Sequence, residues 1–303
     1  MGKTGKTVIP DYCTRSFLFY FLHPEIHLDF KEKIMTLPLG VQLYSLREYS
    51  QKDFLGVLKR VAKIGYKLVE PAGCFDIRPR EFRKIINDLG MDMVSSHTPW
   101  AGSINNVAEC MDIADELGLK RVVCGYGTGN FKDLDAIKET AENTCKIYEI
   151  LHRNGYELFQ HNHWFEFQRF DGRLAYEIYR EMIPADVKIQ MDCFWSTNYG
   201  KEDPVAMLKK FADKTILLHM KDGICEQKQA EGEAGYKNGL LDQKIDLLPL
   251  GTGTLPIPEL IKAAPAQVEA VIVELDYCNI DMWTAIEQSY KYMTENGLAE
   301  GNK

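Results

Sequence analysis

The chain has no apolar run approaching the roughly 18 residues that a transmembrane helix needs. Its longest aromatic stretch, Phe17 to Leu22, is short for a signal core and lacks a small-residue cleavage site. The expectation is a cytoplasmic protein with no membrane partner. The eight cysteines are scattered from Cys13 to Cys278 without a CxxC pair, which excludes a zinc ribbon and a small disulfide scaffold. Reduced thiols are expected, with Cys124 and Cys193 as small buried hydrophobes. Positive charge is also in short supply, at 36 Lys and Arg against 44 Asp and Glu, a net charge of -8. That balance argues against a nucleic-acid partner, whose phosphates need a local cationic excess. No GxGxxG follows the first strand-like run, so the phosphate-cradling turn of a dinucleotide fold is missing. Solenoid repeats and low-complexity tracts are missing too.

What remains is a well-cored globular composition, 45% hydrophobic and 26% charged. Residues 1–35 read unlike the rest, as an N-terminal extension that either packs on the body or is leader or expression-derived sequence, with Met35 as a natural start. Residues 36–303 alternate short β-like runs with longer helical stretches, the pattern of a parallel sheet built from βα units. Eight candidate strands fall at 40–45, 67–70, 91–97, 120–124, 156–161, 187–192, 215–219 and 270–274, at the spacing of a (β/α)8 TIM barrel. Between them lie helical stripes such as Phe54, Val57, Leu58, Val61 and Ile64, and a helix over 105–117 stopped by Gly118. The connection from 221 to 250 is long enough to serve as a lid over the barrel mouth.

The strand ends carry the chemistry. His97, His161, His163 and His219 close or follow three of the runs, and Asp192 and Glu274 close two more. In a parallel barrel those ends converge on one mouth, where carboxylates and imidazoles from different strands could hold one divalent ion. The mixed ligands favour Mn, Zn, Co or Fe over Mg, and argue against Ca, which prefers an all-oxygen shell. Strand parity puts His161 and His163 on one face and Asn162 on the other. Gln42, Glu70 and His97 either cap their strands or hold hydroxyl groups of a polyhydroxylated small molecule; Trp195 is either core or an aromatic wall for a sugar ring. Lys221 and Asp222 are either a solvated turn or part of the site. Glu166, His163, Lys221 and Glu274 are the acid and base candidates.

Five stretches in order carry a resemblance: Gly40-Val-Gln-Leu-Tyr-Ser-Leu-Arg47, Phe159-Gln-His-Asn-His-Trp-Phe-Glu-Phe167, Met191-Asp-Cys-Phe-Trp195, His219-Met-Lys-Asp222 and Val273-Glu-Leu-Asp276. Together they resemble the sugar phosphate isomerase/epimerase family with the xylose isomerase-like TIM barrel. The resemblance implies one divalent metal held at His161, Asp192, His219 and Glu274. Many members carry glutamate at the ligand position of the fifth strand, where this chain offers Gln160, His161 and His163. Gly251-Thr-Gly253-Thr departs from the more usual Gly-Glu-Gly. The implied activity is isomerisation or epimerisation of a sugar or keto-sugar through a metal-stabilised enediolate. A lyase or dehydratase acting on a keto-sugar, keto-glycoside or keto-inositol is the alternative, and a catalytically silent sugar-binding barrel is the rival from another class. An endonuclease of the same superfamily would need more histidines and a basic surface. Whether the chain forms an oligomer is left open by its sequence.

Overall fold

The computed structural model describes residues 36–224, 236–237, 240–241 and 247–303. The expected extension over 1–35 and most of the expected lid between 221 and 250 lie outside the described residues. Within the body Thr36–Lys303, seven strands form one parallel sheet: β1 Leu39–Gln42, β2 Leu68–Glu70, β3 Arg121–Cys124, β4 Glu157–His161, β5 Lys188–Asp192, β6 Thr215–Met220 and β7 Ala270–Val273. Their order is β2-β1-β7-β6-β5-β4-β3, so every strand pairs with its neighbours in the chain except β2 with β3, and β1 pairs with the last. The sheet is therefore curled into an α/β TIM barrel, with helices α1 Arg47–Ile64, α2 Pro79–Asp88, α3 Val107–Leu117, α4 Leu134–Arg153, α5 Ala175–Met182, α6 Pro204–Lys210, α7 Ile257–Ala263 and α8 Met282–Glu295 between and after the strands.

One expected strand is not a strand. The stretch over 91–97 makes a single parallel bridge, Asp92 to Leu68, and closes the barrel between β2 and β3 as an extended segment. Asp92 exchanges backbone bonds with Lys67 and Val69 at 2.9 Å, and on the other side Ala101 N–H donates to the Val123 carbonyl at 2.9 Å. The Met93 N–H, which a ladder would need, is taken by the Asp92 carboxylate at 2.8 Å. A local side-chain acceptor has displaced the strand partner.

Strand parity sorts the interior. Leu68, Phe159, Leu217 and Ile272 belong to one buried apolar cluster, and each stands two positions before a polar residue of the mouth: Glu70, His161, His219 and Glu274. An apolar layer thus forms the floor under a polar one, each large side chain contributing about 1.5–3 kcal/mol of burial. The opposite parity faces the helices, where Val41, Cys124, Met191, Leu218 and Val273 join the main core. Cys124 and Cys193 are fully buried free thiols, as expected.

The α1 stripe is as expected, with Phe54, Val57, Leu58 and Val61 buried. The helix begins earlier than the stripe suggests and breaks at Asp53, whose carboxylate accepts the Gly56 N–H at 2.8 Å as a helix cap would. Gly118 ends α3 in the left-handed region, φ 72°. Gly125, just past β3, is needed for another reason: a Cβ there would run into the Trp100 ring. Among the described residues no helix is long and apolar enough to cross a membrane.

Candidate metal centre and active site

The ends of β4, β5, β6 and β7 deliver His161, Asp192, His219 and Glu274 to one place. One ligand atom from each lies within 4.8 Å of every other, and all four side chains are buried. His97, His161 and His219 form a second grouping on the same criterion. The charge pattern follows from the partners. His219 Nδ1 is 2.7 Å from Glu274 Oε2 and its Nε2 is 2.5 Å from Glu70 Oε2. Burial works against the imidazolium, but the two carboxylates overcome it and raise its pKa to about 9. Burial likewise opposes the Glu70 charge, yet His97 and His219 hold its carboxyl down at about 2.

Lys221 is the second buried cation. Its ammonium donates to Asp192 Oδ2 at 2.7 Å and to Glu274 Oε2, with Asp276 Oδ2 at 3.5 Å. Burial disfavours its charge, but Asp192, Asp276 and Glu274 push its pKa well up. The solvated-turn alternative for Lys221 and Asp222 is corrected by this burial. Asp222 is a structural staple: its carboxylate accepts the N–H groups of Gly223, Gly251, Gly253 and Leu255 at 2.8–3.1 Å. A Cβ on Gly253 would strike both that carboxylate and the Gly223 amide, so the turn can approach only without one.

Asp192 is fixed from behind. Its Oδ1 accepts the Phe194 and Trp195 N–H groups at 3.0 and 2.8 Å, leaving Oδ2 toward the centre. Asn162, on the opposite parity to the histidines, clamps the Asp192 backbone through both ends of its amide at 2.9 and 3.2 Å.

A cavity of about 170 Å³ opens beside these groups, with His97, Trp100, His161, His163, Trp195, Lys221 and Glu274 in its wall together with Tyr44 and Asp276. Of the expected substrate contacts, His97 and Trp195 are in the wall. Glu70 and Gln42 are not; both are fully buried beneath it. Glu70 accepts from Gln42 at 2.7 Å, from Gln190 at 2.7 Å and from Ser95, besides its contact with His219. It thereby fixes the imidazole ring that the metal site would use, as carboxylates behind ligating histidines do. Gln160 is corrected as a ligand candidate: it sits beside Cys124 and Ile189 in register, on the parity that faces the helices, and its amide has no hydrogen-bond partner among the described residues.

His163 is in the wall with 22% of its side chain exposed, and Glu166 lies wholly behind it. The Glu166 Oε2 accepts the His163 N–H at 2.9 Å, and Oε1 is 4.0 Å from Nδ1. Burial raises the Glu166 carboxyl to about 8, while burial and the Lys221 charge lower the His163 imidazole to about 3. Both shifts favour the neutral forms, which argues against an ion pair at their 4.0 Å contact.

Sequence reasoning missed Gln190 and Trp100. Gln190 Oε1 lies 2.6 Å from His97 Nε2 and 3.1 Å from His161 Nδ1, joining both rings to Glu70. The signal was available, since a glutamine two residues before Asp192 in an apolar strand must face the same way. Trp100 had none; it reaches the wall through the space that Gly125 leaves.

Two imidazoles and two carboxylates, buried and convergent, match the donor preference of a divalent transition ion. The carboxylate pair already holds a cation here, the Lys221 ammonium, which shows the electrostatic suitability of that seat.

Comparison with known proteins agrees with the architecture. A sugar phosphate isomerase/epimerase from Parabacteroides distasonis is similar over 88% of this chain and 96% of its own, with 21% identity and a TM-score of 0.62. The probable 3-DHS dehydratase of petrobactin synthesis from Bacillus anthracis is similar over 85% of this chain and 99% of its own, with 14% identity and a TM-score of 0.63. The IOLI protein, solved with a zinc atom, is similar over 86% and 98% at 17% identity and a TM-score of 0.63. At these identities the likeness is one of fold. Among curated proteins none matches the sequence. The family model of the xylose isomerase-like TIM barrel matches residues 58–293, a span that runs from within α1 to within α8 and takes in all four converging side chains. The chain belongs to the xylose isomerase-like TIM barrel family.

Proposed function

We propose that this protein is a metal-dependent enzyme that moves a carbon-bound proton beside the carbonyl of a sugar or keto-sugar, as an isomerase or epimerase. The observation that carries the reading is the convergence of His161, Asp192, His219 and Glu274 within 4.8 Å at the open end of the barrel. These four would hold the ion, with Mn, Zn, Co or Fe favoured by the mixed donors. When bound, a divalent ion supplies Lewis-acid polarisation of a carbonyl and an adjacent hydroxyl.

The chain supplies the rest. His163 stands in the cavity wall as a neutral ring able to take up and return a proton, and Glu166 holds its backbone from behind. The Lys221 ammonium faces the same space and can stabilise negative charge on a substrate oxygen, and the Glu274 carboxylate beside it can relay a proton. Trp100 and Trp195 wall the cavity and exclude water from the reacting carbon. Elimination, the dehydratase or lyase outcome, begins with the same proton removal, and the further cavity adjoining at Asp276 gives a leaving group room.

The test is isotopic. Metal-loaded protein incubated with keto-hexoses in D2O should place deuterium at the carbon beside the carbonyl in product or recovered substrate. Turnover with direct transfer of hydrogen between carbons and no deuterium gained would refute the proton-transfer route.

A further inference from the structure

We propose that the substrate has two units, and that a neutral, hydroxyl-rich second unit, the other sugar of a disaccharide or glycoside, occupies the cavity of about 270 Å³ beside the metal centre. The inference rests on the reading that the smaller cavity takes a sugar ring. Ligand sites usually begin near roughly 300 Å³. Neither cavity reaches that size alone, and the pair exceeds it. They are also adjacent, since Asp276 lines both.

The partition between them is built from polar groups. Arg47 donates to the Tyr44 carbonyl at 2.8 Å and to the Asp276 carbonyl at 2.8 Å, and its guanidinium lies 4.2 Å from the centre of the Tyr44 ring. Arg47 is thereby fixed at the edge of the larger cavity while Tyr44 faces the smaller one. Among the described residues Asp276 Oδ2 is buried without a hydrogen-bond partner, an acceptor placed at the junction with no donor but the Lys221 charge at 3.5 Å. A hydroxyl at the link between two sugar units would satisfy it.

The charge of the larger cavity selects the chemistry. Glu48, Asp276 and Asp281 stand against one guanidinium, so a phosphate there would meet a net negative wall. Carboxylates, a guanidinium and the Tyr49 ring instead suit a neutral ring with many hydroxyls, which accept from the guanidinium and donate to the carboxylates.

Calorimetric titration of the Mn-loaded protein with hexoses, hexose 6-phosphates and neutral disaccharides (maltose, cellobiose, trehalose and sucrose) tests the proposal. At least one disaccharide should bind about tenfold or more tighter than either hexose class. Ile280, 40% exposed, lines the larger cavity and not the smaller. Ile280→Trp should therefore weaken the disaccharide about tenfold and leave the hexose within about twofold. Glu48→Ala, at an exposed position of the same wall, should shift selectivity in the same direction. The proposal is overturned if hexoses or their phosphates bind as tightly as every disaccharide, or if both variants weaken hexose and disaccharide alike. Deuterium exchange into a keto-hexose, with disaccharide binding unaffected by Ile280→Trp, would remove the second unit and keep the proton chemistry. Selective disaccharide binding without exchange would do the reverse.

Discussion

At the scale of single residues, His161 and His163 share a face and are proposed to differ in task. Both line the cavity, but His161 is only 3% exposed and packs against His97 and Gln190, whereas 22% of the His163 side chain is exposed. His161→Ala should lower metal occupancy in elemental analysis, while His163→Ala should keep the metal and lose about a hundredfold or more in turnover, as removal of a general base does. Reversed results would exchange the two roles. Glu166 makes a separate, pH-dependent contribution. Its carboxyl is raised from 4.5 to about 8 in the folded state, so folding is helped fully below pH 4.5 and progressively less as pH rises toward 8. Wild type should lose on the order of 3 kcal/mol more stability than Glu166→Gln between pH 5 and 7.5, measured by urea denaturation at both pH values. Equal losses would mean that Glu166 is ionised in the native protein. The candidate ligands Asp192 and Glu274 were legible in the sequence because a carboxylate ending an apolar strand needs a partner. Glu70 was legible as a polar strand end, but its depth was not. Only the packing of Gln42, Ser95 and Gln190 around it reveals that it serves His219 and not the cavity.

At the scale of elements, the strands were readable from alternation and the helices from their stripes. The exception at 91–97 shows the limit of that reading. Met91, Met93 and Ser95 alternate as a strand would, yet ladder bonds depend on what the neighbouring segments offer, which no local pattern records. The turn over 249–255 is a similar case, since its attachment to β6 depends on one buried carboxylate receiving four amides. Element ends also shape the site by what they omit. Gly125→Ala should force Trp100 out of the cavity wall, costing about 1–3 kcal/mol in stability through overpacking. Metal content should be unchanged and KM for the sugar raised; an unaltered melting temperature with an unaltered KM would show that the ring has room to yield.

At the scale of the whole molecule, the surface and the centre carry opposite burdens. The chain is acidic overall, while its barrel axis encloses a buried ammonium and an imidazolium set among carboxylates. Composition could not disclose the two internal cations, since they contribute little to a sum over the chain. The barrel architecture was foreseeable from the regular spacing of βα units, which fixes where strand ends must gather. The two adjacent cavities were not, because they are framed by Arg47, Asp276 and residues around the start of α8 that are far apart in sequence.

The missing ladder strand divides the barrel wall into bonded and unbonded parts. Asp92 is paired, but the amides of Val94, Ser95 and Ser96 have no backbone partner among the described residues, and His97 N–H reaches only the Pro71 carbonyl at 2.8 Å. Native-state hydrogen exchange should therefore be fastest, among the inner staves, at 94–96 and slowest in β5 and β6, which are paired on both sides. Uniform protection around the ring would contradict this. The barrel then has a seam, and the first opening of the wall exposes His97 while His161, Asp192, His219 and Glu274 remain on the side that stays closed.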